Sequence, residues 1–340
     1  MRWIIKMNII VLAGGYSAER DVSLSSGSKI ANALMKNGHN VVLLDSYESI
    51  DLANSFEELH NKYKQEEFSY TIPQTEPDLL ALKKEFGNGN ALLGKNILET
   101  CQLADLVFIG LHGGIGENGK LQAVFDIFDI KYTGSPSLGS SLAMDKSVSK
   151  ELMFMHEIPT APYEIVSSIS EIKMKPPYVV KPISGGSSVG VFIVRNEEEA
   201  NAHILSEEHL VEKFIEGREF SVGVLDGKAL PAIEIVPKSA EFFDFSSKYQ
   251  GTTNEICPAD IPQKIEMQLR ELAVKVHNIL RLECYSRSEF IVDKDENIYC
   301  LEANSLPGMT ENSLLPQEAR AIGIGYNELC EKIVNMAINK

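Results

Sequence analysis

The side chains best suited to chemistry in this sequence lie between Arg287 and Asn304. Two apolar-rich runs, 287–293 and 298–304, flank the polar break Lys294-Asp295-Glu296-Asn297, the pattern of a β-hairpin with a four-residue loop. Symmetric pairing about that loop sets Glu289 opposite Glu302 and Arg287 opposite Asn304. The alternation of strands then puts all four side chains on one face. Like charges directly opposed cost a sheet roughly 0.2–1 kcal/mol. A divalent cation between them removes the conflict, and two carboxylates with an amide oxygen suit a hard ion, Mg²⁺ or Mn²⁺, rather than zinc. A surface hairpin carrying solvated acids is the plainer alternative.

A second candidate is Lys181, embedded in the apolar run Tyr178-Val179-Val180-Lys181-Pro182 and followed by Ser184-Gly185-Gly186-Ser187-Ser188-Val189-Gly190. Glycines allow close backbone approach and the serines add donors, as a phosphate cradle needs. There is no Gly-Lys-Ser/Thr of a Walker loop and a strand follows, so this is not a P-loop NTPase. A glycine-rich turn with an incidental lysine is the rival reading. Two further candidates sit beyond the carboxyl ends of predicted strands, where open parallel sheets bind ligands. Glu19, in the loop 14–27 after the run 9–13, could hold an ammonium group; His112 follows the run 106–111. The loop 14–27 lacks Gly-x-Gly-x-x-Gly, so dinucleotide binding fits poorly even with Asp45 at the end of the next strand.

The elements that must position these residues begin with a βαβ unit: the strand 9–13, a helix from about Val22 with Asp21 as N-cap and Gly38 as terminator, and the strand 41–45. The run 106–111, a helix at about 120–128 and the turn 132–134 complete a first domain. A helical stretch from 141 to about 155 follows. Strands are expected at 178–182, 191–194, 209–215, 217–224 and 231–237, with amphipathic helices at 264–280 and 326–336. Residues 46–100 carry no evident chemistry. The polar and aromatic loop 239–260 is long enough to be a lid.

The 340 residues are 44% hydrophobic and 24% charged, ordinary for a globular protein of two or three domains. A net charge of −16 argues against a nucleic-acid polymer as partner, though not against a mononucleotide. Five scattered cysteines suggest a reduced, cytoplasmic setting. No apolar run of membrane-spanning length occurs, and the first residues read as a leading strand rather than a signal peptide.

Seven strings in register carry a family resemblance: 14–23 (GGYSAERDVS), 111–119 (LHGGIGENG), 144–146 (MDK), 181–190 (KPISGGSSVG), 212–219 (EKFIEGRE), 244–249 (DFSSKY) and 302–310 (EANSLPGMT). The chain resembles the D-alanine–D-alanine ligases of the ATP-grasp superfamily from Asn8 to about its C-terminus, with 46–100 the poorly matched part. The resemblance implies an α/β chain with an N-terminal Rossmann-like parallel-sheet domain (1–133). A two-lobed ATP-grasp module follows (134–212 and 213–340), its second lobe carrying the hairpin and the lid. It implies ATP held by Lys146 and Lys181 at the phosphates, covered by Gly186, Ser187 and Ser188. Glu212, Lys213, Ile215 and Glu219 would surround adenine and ribose, and Lys248 would reach the γ-phosphate. Two Mg²⁺ or Mn²⁺ would sit on Glu289, Glu302 and Asn304. Glu19, Ser187 and Tyr249 would orient the first D-alanine, Arg287 would face the oxyanion, and His112, Gly308, Ser313 and Leu314 would line the amino-acid sites. The implied product is D-Ala-D-Ala for peptidoglycan precursors, made by a cytoplasmic homodimer through a D-alanyl phosphate. A D-alanine–D-serine ligase and a catalytically degraded nucleotide-binding module are the alternatives. The family usually has Asp at Glu289, an apolar residue at Ser288 and Thr at Ser305.

Overall fold

Strand β1 (Asn8–Ala13) is apolar at nearly every position because Ile9 through Ala13 are all buried. It lies between β2 (Asn40–Asp45) and β3 (Leu106–Ile109), parallel to both, with Ile9 paired to Val41 on one side and Leu106 on the other. The crossover is the helix Arg20–Lys36, which begins two residues before the expected Val22. Glu19, not Asp21, is at its N-cap. The cause is local: the Ser17 hydroxyl accepts from the Glu19 amide at 3.1 Å, and Asp21 is instead engaged by the Tyr70 hydroxyl. Residues 46–100 are tied down by side-chain amides. Asn32 exchanges two hydrogen bonds with the Phe68 backbone, at 2.8 and 2.9 Å, and Asn88 and Asn96 each donate to a backbone carbonyl, of Tyr47 and Ile50, at 2.6 Å.

The computed structural model describes residues 6–73, 75–186, 190–200, 205, 207–237 and 253–340. Two units emerge: Met1–Ser141 with Leu282–Ser286 and Ser305–Lys340, and Leu142–Arg281 with Arg287–Asn304. In the first unit the helix Tyr326–Ile338 packs on Arg20–Lys36, where His39 Nε2 lies 3.0 Å from Glu331.

The second unit contains two antiparallel sheets. One has the order β4 (Tyr163–Val166), β7 (His209–Lys213), β5 (Tyr178–Pro182), β6 (Phe192–Val194). The other has the order β11 (Thr253–Ile256), β10 (Ile233–Pro237), β8 (Gly217–Leu225), β12 (Tyr285–Asp293), β13 (Ile298–Asn304), with β9 (Lys228–Ala229) also on β8. The helix Gln263–Ile279 buries Ile265, Leu269, Ala273 and Val276 and packs on β8 and β9. Of the expected lid, 253–256 is strand, paired with Glu234–Pro237 of β10; residues 238–252 lie outside the described residues.

Two local expectations are corrected. The stretch 141–155 is two helices, Ser137–Met144 and Lys146–Met155, broken at Asp145. Asp145 is extended, bridges Ser184, and its carboxylate caps the second helix by accepting from the Ser147 and Val148 amides. The hairpin loop is also shorter than four residues. Asp293 N–H donates to the Asn297 carbonyl at 3.0 Å, its carboxylate accepts from the Asp295 and Asn297 amides at 2.9 Å each, and Glu296 adopts φ 62°. That is a three-residue loop with a left-handed last residue. Pairing near the loop is therefore displaced by one, with Phe290 opposite Cys300, and a bulge between Glu289 and Phe290 on the one strand and around Leu301 on the other restores it. Glu289 meets Glu302 and Arg287 meets Asn304 as expected, through a different register.

Candidate active site

A cleft enclosing about 880 Å³, its open mouth included, lies within the second unit, walled by residues of both sheets. Lys146, Lys181, Gly185, Gly186, Glu212, Lys213, Ile215, Glu219, Glu289 and Glu302 line it. Each is placed by an identifiable element. The break at Asp145 starts a helix at Lys146, whose Nζ donates to the Gly185 carbonyl at 2.8 Å and lies 3.5 Å from Glu302. Lys181 and Glu212 come from the neighbouring strands β5 and β7. Gly217 opens β8 where an added Cβ would stand 2.4 Å from the Val292 carbonyl oxygen, so only glycine lets β8 start this close to β12. The bulge has a function as well. A regular strand would alternate Leu301 and Glu302 between faces, whereas here both line the cleft.

Charge in this cleft is paired. Glu212 is buried between two lysines, Lys181 at Oε1 and Lys150 at Oε2, the latter at 2.8 Å. Burial pushes the Glu212 carboxyl up, but the attraction of Lys181 and then Lys150 outweighs it and leaves the pKa below the usual range. Burial likewise works against the Lys181 ammonium; Glu212, followed by Glu302 and Glu289, overcomes it and leaves that pKa raised. Arg287 Nη1 donates to Glu289 Oε1 at 2.7 Å. Among the described residues no group of three or more His, Cys, Asp and Glu side chains is fit to hold a metal; beside Glu289 and Glu302 the register brings the Asn304 amide, two residues along β13. Two opposed carboxylates and an amide across one strand pair form a hard-oxygen donor set that fits Mg²⁺ or Mn²⁺.

The other expected residues belong to the first unit. His112, just past β3, is buried; its Nε2 lies 3.1 Å from the Ser26 hydroxyl and its Nδ1 3.9 Å from Glu117. Burial pulls its pKa below the ordinary histidine value, the charge of Glu19 and a hydrogen bond to Leu306 offsetting this only in part. The Glu19 carboxylate packs against Gly113, where an added Cβ would be 2.9 Å from Oε2. Asp45, the residue a dinucleotide ribose would need, is instead consumed: it pairs with Arg20, and its Oδ1 accepts from the Gly15 and Tyr47 amides at 3.0 and 2.9 Å. Gly308 is fitted to Ser313, whose hydroxyl a Cβ would approach to 2.9 Å, and Ser313 precedes the helix Leu314–Ala321. Ser187, Ser188, Lys248 and Tyr249 lie outside the described residues. Sequence reasoning overlooked Lys150, Thr160, Ser26 and Glu117. The spacing Lys146–Lys150, one helical turn, was the available signal for Lys150.

Comparison with known proteins agrees with this geometry. Residues 8–135 match the family model described as "D-ala D-ala ligase N-terminus" and residues 147–335 the one described as "D-ala D-ala ligase C-terminus". The chain is similar to the D-alanine–D-alanine ligase of Pediococcus pentosaceus, 44% identical with 96% of this chain and 97% of that protein covered. It is also similar to the D-alanine–D-alanine ligase of Lacticaseibacillus casei, 41% identical with 97% and 95% covered. Among solved structures, the D-alanine–D-alanine ligase of Bacillus anthracis complexed with ATP superposes with a TM-score of 0.74 at 28% identity, covering 98% of each chain. Two family models spanning nearly its whole length and full-length relatives above 40% identity place this chain in the D-alanine–D-alanine ligase family.

Proposed function

We propose that the chain joins two D-alanines with ATP, the nucleotide lying in the cleft of the second unit. The observation that carries this is the joint lining of one cleft by two lysines, Lys146 and Lys181, and by the opposed pair Glu289 and Glu302. A carboxylate is a poor electrophile for an amine and must first accept the γ-phosphoryl group, forming D-alanyl phosphate and ADP; the second amine then displaces phosphate. Lys146 and Lys181 hold phosphate oxygens and offset the charge that spreads over them. Glu212, Lys213, Ile215 and Glu219 line the cleft for adenine and ribose, and Gly186 begins the loop over the phosphates. Glu289, Glu302 and Asn304 hold Mg²⁺, which when bound neutralises phosphate charge. Arg287, ordered by Glu289, stabilises the tetrahedral oxyanion. In the first unit Glu19 takes the ammonium of a D-alanine. His112, Gly308, Ser313 and Leu314 shape the amino-acid sites, and a neutral His112 serves there as a hydrogen-bonding group. Ser187, Lys248 and Tyr249 keep the roles the resemblance implies.

The division at 133 and 212 separates a substrate domain from two ATP-grasp lobes in this reading, and the protein acts as a cytoplasmic homodimer. All five cysteines are free and four are buried, which suits a reducing compartment. No described helix is long and apolar enough to cross a membrane. The test is phosphate release with ATP, Mg²⁺ and D-alanine, repeated with D-serine added. Release with D-alanine alone is expected. Preference for the mixed pair would make this a D-alanine–D-serine ligase, and no release with either would leave only a nucleotide-binding module. Sedimentation of the pure protein decides the dimer.

A further inference from the structure

Lys150 is the buried cation that the reaction above does not use. It sits one turn after Lys146 on the helix Lys146–Met155, is fully buried, and is not among the residues of the cleft wall. Its ammonium donates to Thr160 Oγ1 at 2.5 Å, is in ion-pair contact with Glu212 Oε2 at 2.8 Å, and lies over the Tyr163 ring, whose centroid is 5.9 Å away. The Thr160 hydroxyl gives its own proton to the Cys300 carbonyl at 2.8 Å, so its oxygen can only accept from Lys150. The arrangement is fixed from both sides. The remaining Glu212 oxygen belongs to Lys181.

Two lysines on one glutamate carry a net charge of +1. Lys181 alone on Glu212 would carry none, and any phosphate entering the cleft would compete with Glu212 for the same ammonium. Where water is excluded such competition is weakly screened. We propose that Lys150 is a positioning residue for the nucleotide: by holding one oxygen of Glu212, it leaves the positive charge of Lys181 available to the phosphate tail. This deepens the nucleotide reading of the cleft and rests on it. The opposite directions of the two lysine pKa values agree with the division of labour. Burial, then the repulsion of Lys181, pulls Lys150 down against the attraction of Glu212, whereas Lys181 is raised by Glu212, Glu302 and Glu289.

The test compares ATP with adenosine, which fills the same cleft without phosphates, by calorimetric titration of the full chain. Lys150→Met is expected to weaken ATP binding about tenfold or more, because Glu212 then holds Lys181 alone and competes with the phosphates for it, while adenosine binds as in the parent. Adding Glu212→Gln removes the competing charge, and the double variant should regain most of the ATP affinity. In turnover assays the loss should appear in KM for ATP, with KM for D-alanine unmoved. Should the methionine variant not fold, Lys150→Gln removes the charge while keeping a hydrogen-bonding group and serves for the same comparison. Equal losses for ATP and adenosine, unchanged ATP affinity, or a double variant worse than the single would each overturn the proposal. Failure of the parent chain to bind ATP at all would instead sink the nucleotide reading on which it stands.

Discussion

The two units hold buried titratable groups in opposite ways. In the cleft of the second unit, Lys181 and Lys150 share Glu212, Arg287 lies on Glu289 and Lys146 approaches Glu302. At the mouth of the parallel sheet in the first unit, His112 is surrounded by the Ser26 hydroxyl, backbone groups and two acids at the margin. Burial disfavours charge in both places. It loses at Lys181, because an opposite charge is in contact, and wins at His112, where it outweighs the attraction of Glu19. A buried ion pair does occur in the first unit, Arg20 on Asp45, but it closes the Gly14-Gly15 loop. In the proposed reading the cleft stores charge for the phosphates, and at the sheet mouth His112 adds neutral hydrogen bonding beside the Glu19 carboxylate.

The most direct way to break this comparison is Lys181→Ala. With Lys181 on the phosphates, as proposed, its removal should lower kcat for phosphate release with ATP and D-alanine about 100- to 1,000-fold, and Glu212 would be left facing Lys150 alone. Activity within a few fold of the parent would mean that the cleft is not where the phosphates lie.

Much of this contrast was legible in the amino-acid order. The opposed pair Glu289 and Glu302, the exposure of the Lys181 strand to a glycine-rich loop and the placement of His112 past a parallel strand all follow from alternation and strand ends. The route by which Glu289 meets Glu302 was not legible. The loop contracts because the Asp293 carboxylate gathers two amides, and the bulge at Leu301 compensates; both depend on three-dimensional hydrogen bonding that a symmetric count ignores. Glu212 lines the cleft, and that its carboxylate is held between Lys181 and Lys150 could not be read from the order of residues. Lys150 was announced only by its one-turn spacing from Lys146; its charged partner, Glu212, comes from β7, far along the chain. The role of 46–100 also emerges only in space, where Asn32 brackets Phe68.

The neutral side of the comparison is sharpened by pH. His112 binds its proton less readily in the folded chain than in the unfolded one, where its pKa is about 6.5. Between its lowered value and about 6.5 the unfolded state therefore holds more protons, so the histidine's contribution is fully present above that range and is lost as pH falls through it. His112→Gln should cost about 1–3 kcal/mol at neutral pH through weakened buried hydrogen bonding. It should also flatten the decline of stability below about pH 6.5, read as urea midpoints along a pH series. His60, whose pKa is likewise lowered by burial and nearby lysines, and at lower pH carboxylates such as Glu212 whose pKa is also lowered, contribute to the slope that remains. An equally steep decline in the variant would mean that His112 is charged when folded.

The smallest effect tests whether strand β12 pairs its neutral polar groups as thoroughly as the cleft pairs its charged ones. Ser288 does not follow that rule: it sits between Arg287 and Glu289, is fully buried, and its hydroxyl finds no hydrogen-bond partner among the described residues. Alternation turns it away from the cleft, onto the face where the family resemblance leads one to expect an apolar side chain. An unsatisfied buried hydroxyl is destabilising, so Ser288→Ala should raise stability by about 1 kcal/mol, seen as a higher urea midpoint at unchanged slope. Ser286, two residues earlier, is equally buried but has a partner, and Ser286→Ala should cost about the same amount. Opposite signs for two buried serines on one strand would show that pairing, not burial, decides what a polar group costs here, as it does for Lys181 and His112. The same sign for both would remove that parallel.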